Sequence, residues 1–111
     1  MDKQTREQLR AQYPNERLRT IVSEDDGIEI VVKGAPPAIW AKYKGLKGDF
    51  ADAGKRSQAD ELLVRGSMVY PEQEAFHAGL VERSLLGFYS SAASLVAQHS
   101  GARENLRVGE L

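Results

Sequence analysis

The chain has 111 residues, which is the size of one ordinary domain. Its 15 lysines and arginines nearly balance its 16 aspartates and glutamates, so it lacks the basic excess typical of a protein dedicated to duplex DNA. It contains no cysteine, which excludes disulfides, thiolate metal sites and cysteine nucleophiles. No apolar run reaches the about 18 residues that a membrane helix needs, and the charged N-terminus is unlike a secretory signal. Composition thus predicts a small soluble cytosolic domain without enzymatic activity.

The N-terminal third of the sequence predicts a short helix followed by a β-hairpin. Residues 3–12 combine charge with strong helix formers and precede a proline turn. Residues 18–33 are rich in β-branched side chains and surround an Asp-Gly pair ending at Gly27, which is a strong hairpin signal. The alternation places Ile21 and Val31 on the second face of the hairpin. We expect a neighbour, such as another chain, to cover that face, because an isolated hairpin is only marginally stable.

The rest of the sequence predicts three to four helices. Their boundary signals are capping residues and proline or glycine breaks, which in chain order are Pro37, Ser57, Pro71, Ser84 and Gly101. The helix that Ser57 begins is expected to extend to Tyr70. Residues 45–57 contain three glycines among polar and charged side chains, which predicts a mobile loop. The predicted fold class is α+β, with an N-terminal β-hairpin followed by three to four α-helices packed on one face of a small sheet.

Few groups of side chains resemble a reactive site. Residues 48–57 resemble a phosphate-binding loop only superficially, because five residues separate the glycines and Arg56 replaces the required hydroxyl. Glu74 and His77 have the spacing of a carboxylate-type metal pair, but no matching pair exists on another predicted helix, so we expect a surface pair. His99 is expected to interact with a helix dipole. No serine lies in a nucleophile elbow. The sequence predicts no catalytic residue, cofactor or metal.

A lysine-rich segment offers one alternative function. Lys42, Lys44 and Lys47 lie close to Trp40, and aromatic rings beside cations are one design for binding single-stranded nucleic acid. The competing interpretation is that Trp40 and Tyr43 pack inward while the lysines lie on the solvated face of the helix, and we favour this interpretation.

The last two predicted helices carry an apolar stripe beside small residues that permit close approach. Its candidate partner-binding residues are Leu80, Leu85, Phe88, Tyr89, Leu95 and Val96. The stripe is either an ordinary core or, in part, a groove for an oligomer or a client protein, and the sequence does not separate these two possibilities.

The order of these elements resembles the phage tail assembly chaperone family, small proteins that precede the tape measure protein. The resemblance spans about residues 17–101, in which an acidic-tipped hairpin leads into the Ala-Pro-Pro-Ala-Ile-Trp run at residues 35–40. It is most specific in the run ELLVRGSMVYP at residues 61–71, followed by the Glu-Gln-Glu-Ala-Phe run at residues 72–76, and it ends with the Leu-Val-Ala-Gln-His-Ser-Gly run at residues 95–101.

The resemblance implies a non-enzymatic protein of the infected host's cytoplasm that is absent from the mature virion. Such chaperones bind the long tape measure protein before the tail tube polymerises around it, and they self-associate. The resemblance also implies that a longer, frameshifted form can exist. We expect one domain over residues 1–101 and a polar tail over residues 102–111. The alternatives are another small phage structural or adaptor protein, such as a head–tail connector component, and the nucleic-acid module described above.

Overall fold

The structure is a computed structural model that describes residues 1–48 and 52–101. Within these ranges it is α+β, as predicted, with a three-stranded antiparallel sheet and five helices. The elements in chain order are α1 (Lys3–Gln12), β1 (Arg19–Ser23), β2 (Ile28–Val32), α2 (Pro37–Lys47), α3 (Ala53–Ser67), β3 (Met68–Tyr70), α4 (Gln73–Glu82) and α5 (Phe88–Gly101). The predicted polar tail lies outside the described residues.

Strands β1 and β2 form the predicted hairpin. Gly27 has a left-handed φ of +66° and donates its N–H to the Glu24 carbonyl at 3.3 Å, which closes a four-residue loop. Ile21 lies directly opposite Ile30, so both side chains point into the core. The prediction that Ile21 shares the second face with Val31 is therefore wrong.

The N-terminal helix lies against the second face of the hairpin. Leu9 of α1 is buried and lines the same small cleft as Val31. The Met1 ammonium pairs with the Glu29 carboxylate at 2.9 Å. This face is therefore covered in part by α1 of the same chain, so Val31 needs no second chain to be buried.

The third strand was not predicted. The helix expected to extend to Tyr70 ends at Ser67, whose carbonyl accepts a hydrogen bond from the Lys33 N–H at 2.9 Å. The Met-Val-Tyr segment then pairs antiparallel with β2. A residue that precedes proline disfavours helical backbone, and Tyr70 precedes Pro71. The open edge of β2 supplies the hydrogen-bond partners of this segment, and the local sequence alone does not show that they are there.

The helix after the predicted loop begins earlier than expected. Asp52, rather than Ser57, is the N-cap of α3, because its side chain accepts from the Lys55 N–H at 3.1 Å. Residues 45–47 belong to α2 and residues 53–57 to α3, so the predicted mobile loop over 45–57 is wrong for both of these parts. Residues 49–51 lie outside the described residues.

Helix α4 begins with a carboxylate cap. The Glu72 side chain accepts hydrogen bonds from the backbone N–H groups of Ala75 at 2.8 Å and Glu74 at 2.9 Å. These bonds lower the pKa of Glu72. Because the folded-state pKa is depressed, this cap stabilises α4 above the ordinary glutamate pKa and loses its contribution as the pH falls.

Ser84 ends α4 instead of capping α5. It adopts a left-handed φ of +57°. The Ser84 N–H donates to the Val81 carbonyl at 3.2 Å and the Leu85 N–H donates to the Leu80 carbonyl at 2.8 Å, which is the Schellman arrangement. Glycine is the usual residue at this position, because a side chain is strained there. Helix α5 accordingly begins at Phe88 rather than directly after Ser84.

We expect Ser84→Gly to raise the free energy of unfolding by about 0.5–1 kcal/mol, because glycine relieves the left-handed strain at some cost in chain entropy. Urea denaturation followed by circular dichroism measures this change. The matched control is Ser90→Gly in the regular helix α5, where glycine should destabilise by about 0.5–1 kcal/mol. Equal losses for both variants would contradict the assignment of Ser84 to the strained position.

The core lies between the sheet and helices α3, α4 and α5. Its largest fully buried apolar side chains are Ile30, Val32, Leu63, Val64 and Val96. This packing holds α5 beside the hairpin, with one face of the helix in the core and the other in solvent.

Candidate functional site

The structure separates the six residues predicted as core or groove. The buried members are Leu80, Tyr89 and Val96. The half-buried members are Leu85 and Phe88, and Leu95 is 49% exposed. Leu80, Tyr89 and Val96 are therefore core residues. Only Leu85, Phe88 and Leu95 are accessible to a partner.

The three accessible residues line one groove between β1 and α5, which we call the β1–α5 groove. Its volume is about 520 Å³. Its apolar lining consists of Ile21, Val22, Leu85, Phe88, Ala92 and Leu95. A neighbouring hollow of about 350 Å³ shares Ile21 and Leu95 with it and extends toward His99. Together the two hollows follow most of the length of α5.

Hydrogen bonds connect the hairpin to the helical layer at both ends of the groove. The hairpin loop at one end contains Glu24, Asp25 and Asp26, and the Asp26 carbonyl accepts from the Arg83 guanidinium at 2.7 Å. At the other end the His99 Nε2–H donates to the Arg17 carbonyl oxygen at 2.5 Å. These two contacts attach the hairpin to the helical layer at both ends of the groove.

The sequence missed the contribution of β1 to this groove. Ile21 was assigned to the wrong face, and exposed Val22 had no predicted role. The alternation of apolar residues gave a usable signal, because residues directly opposite in a hairpin share a face. The missing information was the pairing register of β1 with β2, which places Ile21 opposite Ile30.

The predicted surface pair between Glu74 and His77 does not form. His77 Nδ1 lies 2.7 Å from the Tyr89 hydroxyl, and the two rings stack. Glu74 instead accepts from Arg65 at 3.2 Å. Burial raises the pKa of Tyr89 to about 12, so its phenol stays protonated at neutral pH. No cluster of three or more metal-ligating side chains occurs in the described part of the chain.

The lysine-rich segment packs as its competing interpretation predicted. Tyr43 is buried, and Trp40 stacks on it with a centroid distance of 5.5 Å. The Lys44 ammonium lies 5.6 Å from the centre of the Trp40 ring, and Lys47 donates to the Asp60 carboxylate at 2.9 Å. The aromatic ring and two of the lysines thus have partners within the chain.

A second groove, between α2 and α3, was not predicted. Its volume is about 570 Å³, and Ile39, Leu46 and Leu62 form its apolar part. Lys42, Glu61 and Arg65 interrupt this lining, and Arg65 lies 3.5 Å from the Glu61 carboxylate. This mixture of charges makes it a poorer match to an apolar partner than the β1–α5 groove.

No helix of the described residues combines the length and apolar character needed to cross a bilayer. Comparisons with protein-family models, curated proteins and solved structures find no match to this chain.

Proposed function

We propose that this chain is a non-enzymatic binding protein that holds an apolar helical segment of a client protein in the β1–α5 groove. The observation that carries the proposal is that Leu95 remains 49% exposed in this groove. Contiguous apolar surface with a polar rim is typical of interaction sites. Half-buried Leu85 and Phe88 extend this surface, so the groove offers several adjacent apolar contacts.

The groove suits a helix better than a small molecule. It is open along its length, and an amphipathic helix inserts apolar side chains at positions i, i+3, i+4 and i+7 into such a groove. Small residues in the lining, Gly87 and Ala92, permit close approach of a partner backbone. A partner held in an open groove is also readily released.

The client we propose is a phage tape measure protein, as for the tail assembly chaperones that the sequence resembles. A long helical protein exposes apolar stripes that aggregate unless another protein covers them. A chaperone for such a client needs moderate affinity, because the tail tube must replace it, and affinity of this kind is set mainly by the dissociation rate. On this proposal the protein acts in the host cytoplasm, needs no cofactor and is absent from the mature virion.

Co-expression with a tape measure fragment from the same genome tests this function. We expect the wild-type chain to raise the soluble yield of the fragment and to purify with it. Leu95→Asp should weaken the complex by about 10- to 100-fold, because it places a charge among the apolar contacts. Leu86→Asp is the matched control, since Leu86 is 45% exposed and lies outside the groove lining. Equal binding by the two variants, or no complex with wild type, would contradict the proposal.

A further inference from the structure

We propose that a second copy of this chain pairs with the free edge of β1, so that two three-stranded sheets join into one sheet of six strands. Within the described residues the strand order is β1–β2–β3, which places β1 at an edge. An open edge presents unpaired backbone groups and readily accepts another strand. This contact uses the backbone edge of β1, which borders the client groove, and it does not rest on the proposed client.

The direction of the backbone groups in β2 follows from its bond to the end of α3. The Lys33 N–H donates to the Ser67 carbonyl, which continues into β3. Because successive residues of a strand direct their N–H and C=O groups to opposite sides, Val32 and Ile30 direct theirs toward β1. Their partners in β1 therefore use their own backbone groups inside the sheet.

The residues between those partners direct their backbone groups outward. Ile21 lies opposite Ile30, so the N–H and C=O groups of Thr20 and Val22 point away from the sheet. A two-fold antiparallel pairing centred on Ile21 brings Thr20 of one copy opposite Val22 of the other. Both residues then have outward groups, and each such pair exchanges two N–H···O bonds. The edge is therefore complementary to itself in this register.

The charges along the edge favour a second copy as the occupant. Arg17 and Arg19 lie at one end of β1, and Glu24 and Asp25 lie at the other end. All four side chains are exposed, and none has an ion-pair partner among the described residues. The same two-fold pairing places the arginines of one copy alongside the acidic residues of the other, at both ends of the contact. Complementarity of this kind selects the partner and its register.

The pairing also determines where the two client grooves lie. The two-fold axis of an edge-to-edge antiparallel pair runs perpendicular to the sheet, so α5 of each copy lies on the same face of the joined sheet. The two β1–α5 grooves then lie on that face, on either side of the axis. Exposed Val22, beside the axis, becomes partly covered by the partner strand.

Complementary charge variants of the full chain test this contact by sedimentation velocity. The acidic-edge variant carries Arg17→Glu and Arg19→Glu, and the basic-edge variant carries Glu24→Lys and Asp25→Lys. We expect wild type to dimerise and each variant alone to self-associate about tenfold or more weakly, because like charges then face each other. An equimolar mixture of the two variants should regain dimers, since opposite charges meet again at both ends.

A proline variant tests the backbone part of the contact. Val22→Pro removes one outward N–H and leaves the bonds between β1 and β2 in place, so the dimer should be lost while the circular dichroism spectrum is kept. A monomeric wild type, or a mixture of charge variants that stays monomeric, would overturn the proposal. So would dimers that appear only after residues 102–111 are deleted, since the tail would then be the occupant of the edge. None of these outcomes changes the expectation for Leu95→Asp, so the two proposals fail separately.

Discussion

Ile30→Ala is expected to lower the free energy of unfolding by about 2–5 kcal/mol. Ile30 is fully buried in the central strand, between the hairpin partner Ile21 and the helical layer. Truncation removes apolar contacts and leaves a cavity that a close-packed core fills only in part. Small domains have a total stability of about 5–15 kcal/mol, so a loss of this size threatens folding at elevated temperature.

Urea denaturation of Ile30→Ala beside Val22→Ala measures this effect. Val22 lies on the adjacent strand with its side chain largely in solvent, so its truncation should change stability by about 0.5 kcal/mol or less. A loss for Ile30→Ala as small as that for Val22→Ala would show that the sheet does not form the centre of the core.

Lys47→Met is expected to lower the free energy of unfolding by about 1–3 kcal/mol. The Asp60 side chain is buried in α3, and Lys47 at the end of α2 donates to it at 2.9 Å. Without the ammonium, the carboxylate remains buried beside an apolar side chain. The expected loss is below that for a fully buried pair, because the Lys47 side chain is 43% exposed and water screens the interaction.

Lys42→Met is the matched control for this pair, because Lys42 is an exposed lysine of the same helix. Thermal unfolding should show a clear decrease for Lys47→Met and little change for Lys42→Met. A reversed order, or two equal changes, would contradict the assignment of the α2–α3 connection to the Lys47–Asp60 pair.

Elements with strong local signals were predicted correctly from the sequence. The N-terminal helix matches its predicted range, and the hairpin forms around Gly27, whose left-handed conformation is specified by the residue itself. Pro37 begins α2 as expected, because its fixed φ and missing N–H suit the first helical turn. In each case neighbouring residues determine the outcome, and no distant contact is needed.

Elements that depend on distant contacts were missed. Strand β3 exists because β2 offers an open edge, and the apolar residues around Val69 fit a helical stripe equally well when read in isolation. Ser57 and Ser84 both have side chains that can cap a helix N-terminus. Asp52 caps α3 instead of Ser57, and Ser84 adopts the left-handed turn that ends α4. Side-chain chemistry alone does not determine which of several suitable residues begins or ends a helix.

The candidate site was predicted in part. Leu95 and Val96 are adjacent in sequence, yet one is half exposed and the other is fully buried. Neighbouring helical residues point about 100° apart, so the boundary of an apolar stripe cannot be located without knowing how the helix is rotated against the core. The resemblance to tail assembly chaperones led to the proposed client, and the fold led to the surface proposed to bind it.

The most direct test of this account is a methyl NMR titration of the full chain with a tape measure fragment. We predict that methyl signals from Leu85 and Leu95 shift or broaden as the fragment is added, while those of Leu86 and the buried Val64 stay in place. Shifts confined to Ile39 and Leu62 in the α2–α3 groove, or no shifts at saturating fragment, would contradict the assignment of client binding to the β1–α5 groove.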